Sequence, residues 1–273
     1  MGNESVLETA EVDMSAIKVV EKLSEGGSGG NLPKWLLEDS VGYLYAKGRS
    51  NENTFEPEAE VCAYKLAHIF GVPAIKYELM DLSRLFGLPK TPVCVSRDYT
   101  CGYKVMSLYR YAEIVGEINP ASIDGQVKFD LINAVLNPKD KELHITILYF
   151  DYLVGNKDRH LRNFEVHLNA DGTLVGLVPM FDTGACLFSD ETEKQIEMAI
   201  GQSDNYVHSK PYADPHSSQL KLLTSMGCLS PLRKANKEQV YKTINGCFPA
   251  ERAKLLGKYV TLNMERLELL CRK

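Results

Sequence analysis

The sequence predicts an α+β chain in two parts: a small sheet-rich N-terminal lobe over residues 1–98 and a larger helical lobe over 99–273. Strand signals bounded by turn residues crowd the first hundred positions, with one helical stretch among them. Beyond residue 100 apolar residues recur mostly at helical spacing, and strand signals shrink to one hairpin. A length of 273 residues suits one large domain or two lobes sharing a cleft.

Residues 6–23 read as an extended or weakly helical lead-in. Ser24-Glu25-Gly26-Gly27-Ser28-Gly29-Gly30-Asn31 follows, the dense glycine run of the chain. Lys34–Leu37 and Tyr43–Lys47 are predicted strands, and Glu38–Gly42 between them is turn chemistry, so 34–47 is a hairpin. A helix is predicted over 57–70. Pro57 suits its first turn, Gly71 suits its C-terminal cap, and Cys62, Ala63, Leu66, Ala67 and Phe70 recur at helical spacing. Ala74–Leu79 and Pro92–Ser96 complete the strands of the first part. In the second part a helix over Leu143–Val154 puts Ile145, Leu148, Tyr149, Tyr152 and Leu153 on one face and runs into Gly155. Strands Phe164–Leu168 and Leu174–Val178 flank Asn169-Ala170-Asp171-Gly172, a strong hairpin signal. Helices are expected near 218–226, 236–245 and 249–271. No internal repeat is present.

Apolar residues make up 44% and charged residues 25%, which suffices for an ordinary core. A net charge of −5 argues against a general nucleic-acid binder, so no direct nucleic-acid contact is expected. Seven cysteines, odd in number and scattered, read as free packing thiols in a reducing compartment. No apolar run reaches the roughly 18–20 residues of a membrane span, so no transmembrane segment is expected. Met1–Ser5 lacks a basic-then-apolar signal pattern. The expected location is the cytoplasm, and export by a leaderless route would leave no trace in the sequence.

The segment that carries chemistry is Gly155-Asn156-Lys157-Asp158-Arg159-His160-Leu161-Arg162-Asn163-Phe164, between a helix and the hairpin. Asp182, in Phe181-Asp182-Thr183-Gly184, lies 24 residues beyond Asp158, just past the hairpin. An Asp, an Asn five residues on, and a second Asp after a hairpin form the layout that phosphoryl transfer requires. The first Asp orients or deprotonates an attacking hydroxyl, and Asn163 and Asp182 hold Mg2+ through hard oxygens. His160 packs to shape this loop or moves protons, and the first role is the better supported.

The upstream pieces fit ATP. Gly26, Gly27, Ser28, Gly29 and Gly30 let backbone N–H groups approach phosphate oxygens without a side-chain clash, although such runs also serve as linkers. Lys47 could be an ordinary solvated lysine on an edge strand; its place after the glycine run and before the helix favours the α- and β-phosphates. Glu58 and Glu60 both qualify by position as the carboxylate that holds it. Tyr149 and Phe150 read as core, and Tyr103, Tyr109 and Tyr111 as lobe-packing residues.

Taken together, these residues resemble the HipA-like serine/threonine kinases, especially their short members such as the cell-translocating kinase A group. The matching strings are Gly-Gly-Asn-Leu-Pro-Lys at 29–34, Tyr-Ala-Lys at 45–47, Ala-Glu-Val-Cys-Ala-Tyr-Lys-Leu-Ala at 59–67 and Val-Ser-Arg-Asp at 95–98. To these add Gly-Asn-Lys-Asp-Arg-His-Leu-Arg-Asn-Phe at 155–164, Phe-Asp-Thr-Gly at 181–184 and Ser209-Lys210-Pro211-Tyr212. The resemblance implies a two-lobed protein-kinase-like fold of the minimal type, ATP and magnesium as cofactors, and a protein substrate bearing Ser or Thr. It implies Asp158 as the catalytic Asp, Asn163 and Asp182 as metal ligands, Lys47 with Glu60 at the phosphates, and Val95, Ser96 and Arg97 at the adenine hinge, partly through backbone. It also implies autophosphorylation in the glycine loop, at Ser28 or secondly Ser24, and an antitoxin or host-protein partner. The Asp-Arg-His-x-x-Asn string also resembles phosphatidylinositol kinases, so a lipid or small-molecule kinase is the first alternative. A non-catalytic pseudokinase is the second, and the presence of Lys47, Asp158, Asn163 and Asp182 argues against it.

Overall fold

The computed structural model describes residues 12, 15–23, 32–85, 90–202 and 207–270. The first part is an antiparallel sheet of β1 (Lys18–Leu23), β2 (Lys34–Glu38), β3 (Tyr43–Lys47), β4 (Glu78–Met80) and β5 (Val93–Arg97), in the order β1-β2-β3-β5-β4. The expected hairpin is β2–β3, in register from Lys34↔Lys47 to Glu38↔Tyr43. Its turn closes because Asp39 Oδ1 accepts the N–H groups of Val41 and Gly42 at 2.9 and 3.0 Å. Trp35, Leu37, Leu44, Ala46, Val93 and Val95 alternate onto one face and form a core with Ile17 and Leu82. β3 lies between β2 and β5, so Lys47 sits on an interior strand rather than on an edge.

The strand expected over 74–79 is mostly absent. Ala74 bridges Met180 instead: Ile75 N–H donates to the Met180 carbonyl at 2.8 Å, and Met180 N–H to that of Pro73 at 2.9 Å. The backbone groups of this stretch find their partners just before Asp182, a pairing that local pattern cannot show.

Helix α1 (Glu56–Phe70) has Pro57 in its first turn and ends at Gly71, whose φ of +74° forms a left-handed cap. Ala59, Cys62, Ala63, Leu66, Ala67 and Phe70 pack into the large core of the second part, while Val61 meets Ile75, Tyr77, Cys94, Val178 and Phe181. Each large apolar side chain so buried stabilises by about 1.5–3 kcal/mol. The helix is therefore shared between the two parts, and whatever it carries is held against both.

The second part opens with β6 (Lys104–Ser107), which joins β7 (Glu165–Leu168) and β8 (Leu174–Leu177) in a sheet ordered β6-β7-β8. Around it lie α2 (Leu108–Gly116), α3 (Gly125–Val135), α4 (Pro138–Val154), α5 (Glu193–Gly201), α6 (His216–Ser225), α7 (Lys237–Asn245) and α8 (Ala250–Leu270). α4 starts at Pro138, earlier than the apolar pattern suggests, because Asn137 caps it by accepting from Asp140 N–H. Ile147–Val154 are buried all round, as in a helix at the centre of a core. α4 stops at Gly155, with φ +65°, where a Cβ would come within 2.9 Å of the Tyr259 hydroxyl. Among the described residues, no helix is long and apolar enough to cross a membrane.

Candidate active site

Where α4 ends, a buried cation organises the loop that follows. Arg159 Nε donates to Asp151 Oδ2 at 2.8 Å, and its Nη1 donates to the carbonyls of Asn163 at 2.9 Å and Phe181 at 2.7 Å. Asn156 Nδ2 donates to Asp151 Oδ1 at 2.8 Å, and Asn156 Oδ1 accepts the Asp158 N–H at 3.2 Å. One guanidinium thus ties α4, the far end of the loop and the residue before Asp182 to a single point. On this frame the Asn163 Nδ2 donates to the Asp158 carbonyl at 2.9 Å, which leaves the amide oxygen as the atom Asn163 can offer a cation. The His160 N–H also donates to the Asp158 carbonyl, and its Nε2 lies 3.9 Å from Asp158 Oδ2. Asp158 Oδ1 accepts from Lys210 Nζ at 2.8 Å.

On the opposite wall, Lys47 Nζ donates to Glu60 Oε1 at 2.9 Å and to Asp182 Oδ1 at 2.8 Å. The other oxygen of Glu60 accepts the N–H and hydroxyl of Thr183 at 2.8 and 2.7 Å. Glu58 pairs instead with Arg49, so Glu60 is the acid that faces Lys47. Burial alone would lower the Lys47 ammonium, but Asp182 and Glu60 hold it well above its usual range. In turn Lys47 draws the Asp182 carboxyl down to about 2 against the effect of burial, so it is ionised at neutral pH. Asp182 has φ +55°, a left-handed conformation that a non-glycine residue adopts at a cost of order 1–3 kcal/mol when the surroundings demand it. The demand comes from both sides: Arg159 grips the carbonyl of Phe181, and Glu60 grips Thr183.

These walls enclose a cleft of about 490 Å³ lined by Lys47, Ser96, Tyr99, Asp158, Asn163 and Asp182, among others. Superposed on solved structures, the chain matches the proinflammatory kinase CtkA of Helicobacter pylori with a TM-score of 0.68. The match covers 92% of this chain and 95% of that one, at 15% identity. The fold is that of a HipA-like kinase. HipA of the Shewanella oneidensis MR-1 toxin–antitoxin system, solved with HipB and operator DNA, also matches, with a TM-score of 0.51. That match covers 96% of this chain and 74% of that one, at 11% identity. At such identities the likeness is one of fold. No protein-family model and no curated protein sequence matches the chain.

Within this HipA-like fold, the structure brings Lys47, Glu60, Asp158, His160, Asn163 and Asp182 together. It separates the three hinge candidates. Ser96 faces the cleft, whereas Val95 packs into the core of the sheet and Arg97 pairs with Asp39 at 2.8 Å, because alternate side chains of β5 point to opposite faces. Contact of Val95 or Arg97 with a cleft ligand would therefore run through backbone. Gly26, Gly27, Ser28, Gly29 and Gly30 lie outside the described residues. Sequence reasoning missed Tyr99, whose ring stacks on Phe181 at 5.5 Å and whose hydroxyl donates to Glu165, and Tyr77, whose ring lies 5.4 Å from Lys47 Nζ. It also missed Asp151 and Arg159 as a buried pair and Thr183 as the partner of Glu60. Spacing carried no signal for any of these. Asn163 and Asp182 both present oxygens to the cleft, a hard donor set that suits magnesium.

Proposed function

We propose that the chain is an ATP- and magnesium-dependent serine/threonine protein kinase of HipA-like type, capable of autophosphorylation. Its lobes divide at residues 98 and 99, and the cleft between them takes the nucleotide. The observation that carries this reading is the convergence of Lys47, held by Glu60, with Asp158, Asn163 and Asp182 on one cleft. The adenine would lie along β5 against Ser96 and Tyr99, and Lys47 would meet the α- and β-phosphates. Asn163 and Asp182 would hold magnesium, which when bound neutralises charge on the phosphates. Asp158 orients the acceptor hydroxyl and takes its proton as the oxygen attacks the γ-phosphorus and the bond to the β-phosphate oxygen breaks. The protein contributes mainly positioning and charge stabilisation. His160 shapes the loop through its backbone contact with Asp158. The glycines of 26–30, with Ser28 or Ser24 as the autophosphorylated residue, belong to this proposal on sequence grounds.

The acceptor is a protein Ser or Thr. The settings of HipA and CtkA suggest an antitoxin or a host protein as partner, with the chain acting in the cytoplasm or after export. The Asp-Arg-His-x-x-Asn string favours a second reading, a lipid or small-molecule kinase. One experiment separates the two. Purified protein with labelled ATP and magnesium, and no added substrate, is expected to label itself; Asp158→Ala and Asp182→Ala are expected to abolish labelling with melting temperatures close to wild type. Near-wild-type labelling by either variant, or label that appears only when a lipid is supplied, would overturn the protein-kinase reading.

A further inference from the structure

The stretch from Val207 to His216 is anchored to the second part at many points. Ser209 N–H donates to Asp214 Oδ1 at 3.0 Å, and Ser209 Oγ donates to the Ala213 carbonyl at 2.5 Å. Tyr212 is buried, with its hydroxyl 2.9 Å from His144 Nε2 and its N–H on Gln219 Oε1 at 3.2 Å. Its carbonyl lies directly against Gly125, where a Cβ would fall 1.8 Å from the oxygen. His216 Nε2 meets the Asn156 carbonyl at 2.9 Å, and Asn156 itself holds the Asp158 N–H. The loop is thus tied to the Asp158 loop by His216, and Lys210, at its centre, places its ammonium on Asp158 Oδ1 at 2.8 Å.

The Lys210 side chain is half exposed, at 52%. A surface ion pair of this kind contributes only about 0–1 kcal/mol to stability, so folding does not account for it. Lys34, on β2, also lines the cleft, and the other cations nearby have partners of their own. Lys157 is held by Asp190 and Glu191 at 2.5 and 3.1 Å, Arg162 lies over the Tyr109 ring at 5.0 Å, and Lys47 bridges Glu60 and Asp182. Arg159 is buried beneath the loop. Yet an anionic Asp158 must sit beside an anionic phosphoryl group while the acceptor oxygen attacks it. A fixed positive charge on the side of Asp158 would offset that repulsion beyond what magnesium at Asn163 and Asp182 supplies.

We propose that Lys210 is a further catalytic residue, an ammonium delivered by the 207–216 loop that contacts the transferring phosphoryl group beside Asp158. The inference rests on the kinase reading above. During transfer the acceptor oxygen forms its bond to the γ-phosphorus, the bond to the bridging β-phosphate oxygen breaks with its electron pair going to ADP, and the hydroxyl proton passes to Asp158. Lys210 donates hydrogen bonds to the phosphoryl oxygens as their charge redistributes, and takes no part in the proton transfer.

The test compares wild type, Lys210→Ala and Lys210→Arg in autophosphorylation with ATP varied, beside thermal melting of each. Lys210→Ala is expected to lower kcat by about 100-fold, the scale of losing one preorganised donor, with KM for ATP within about threefold. Lys210→Arg is expected to recover at least about tenfold of that loss, and both variants should melt within about 2 °C of wild type. A kcat for Lys210→Ala within about threefold of wild type overturns the inference. So does a rise in rate, which would make the contact a lock, or a loss that tracks melting and that Arg does not relieve. Those results leave the kinase reading intact when wild type is active and Asp158→Ala is not. A wild type that transfers no phosphate sinks that reading, and the role of Lys210 with it.

Discussion

At the scale of single residues, the site depends on how few freedoms Glu60 leaves its neighbours. One oxygen fixes Lys47 and the other fixes Thr183, so the same carboxylate positions the cation and the segment that carries Asp182. Glu60→Gln keeps the shape but removes the charge that holds the Lys47 ammonium. Misplacement by an ångström costs on the order of 10²-fold in rate. We therefore expect Glu60→Gln to lower kcat/KM for ATP by about 10–100-fold through both parameters. Steady-state kinetics at saturating magnesium would check this, and a variant indistinguishable from wild type would remove Glu60 from the site. Lys47, Asp158, Asn163 and Asp182 stand out in the sequence as candidates because each sits in a short string at a strand end or loop, and the structure brings them to one cleft. The choice between Glu58 and Glu60 was not readable from spacing. Both stand on one helix, and only the packing of α1 decides that one meets Arg49 and the other Lys47.

At the scale of elements, α4 and the loop after it behave as one unit because of the Asp151–Arg159 pair. Both side chains are fully buried, and Arg159 also satisfies two backbone carbonyls. Removing one partner of such a pair leaves a charge without compensation and costs about 3–5 kcal/mol. Arg159→Met is expected to lose stability on that scale in urea denaturation, and the double variant Arg159→Met/Asp151→Leu is expected to recover part of it. A loss below about 1 kcal/mol for the single variant would mean that the pair is not what holds the loop. The long helices were legible because their apolar periodicity extends over several turns. β6 was not, because one exposed and three half-buried residues running directly into α2 carry no alternation of their own; they become a strand by pairing Lys104–Ser107 with Leu168–Glu165.

At the scale of the whole molecule, two buried imidazoles link the fold to pH. His144, enclosed by Phe129, Phe164 and the Tyr212 hydroxyl, is driven by burial down to about 3. His216, packed near Tyr152, is lowered by burial to about 4, although the Asn156 carbonyl and Asp214 oppose this. Both are neutral in the native state, whereas an unfolded histidine binds a proton below about 6.5. From that value down to about 4 the unfolded chain holds more protons, so stability is complete above it and falls as the pH is lowered. Each imidazole contributes a slope of up to about 1.4 kcal/mol per pH unit. Asp182, depressed to about 2, adds its own loss only below the usual carboxylate range, beneath this window. Melting temperature is expected to drop steadily between pH 6.5 and 4.5, and to drop less in His144→Gln; an identical profile for that variant would exclude His144 as a source.

The sequence by itself determined the α+β class, several of the helices, the β2–β3 and β7–β8 hairpins, and the polar residues that meet in the cleft. These follow from periodicity, capping and turn chemistry, which act over a few residues. Only the tertiary structure decided that Ala74 pairs with Met180, that α1 packs against both parts, that β5 turns Ser96 and not Val95 or Arg97 into the cleft, and that Lys210 reaches Asp158. Each of those joins residues far apart in the chain, and such contacts are set by which buried groups find partners once the whole core has closed.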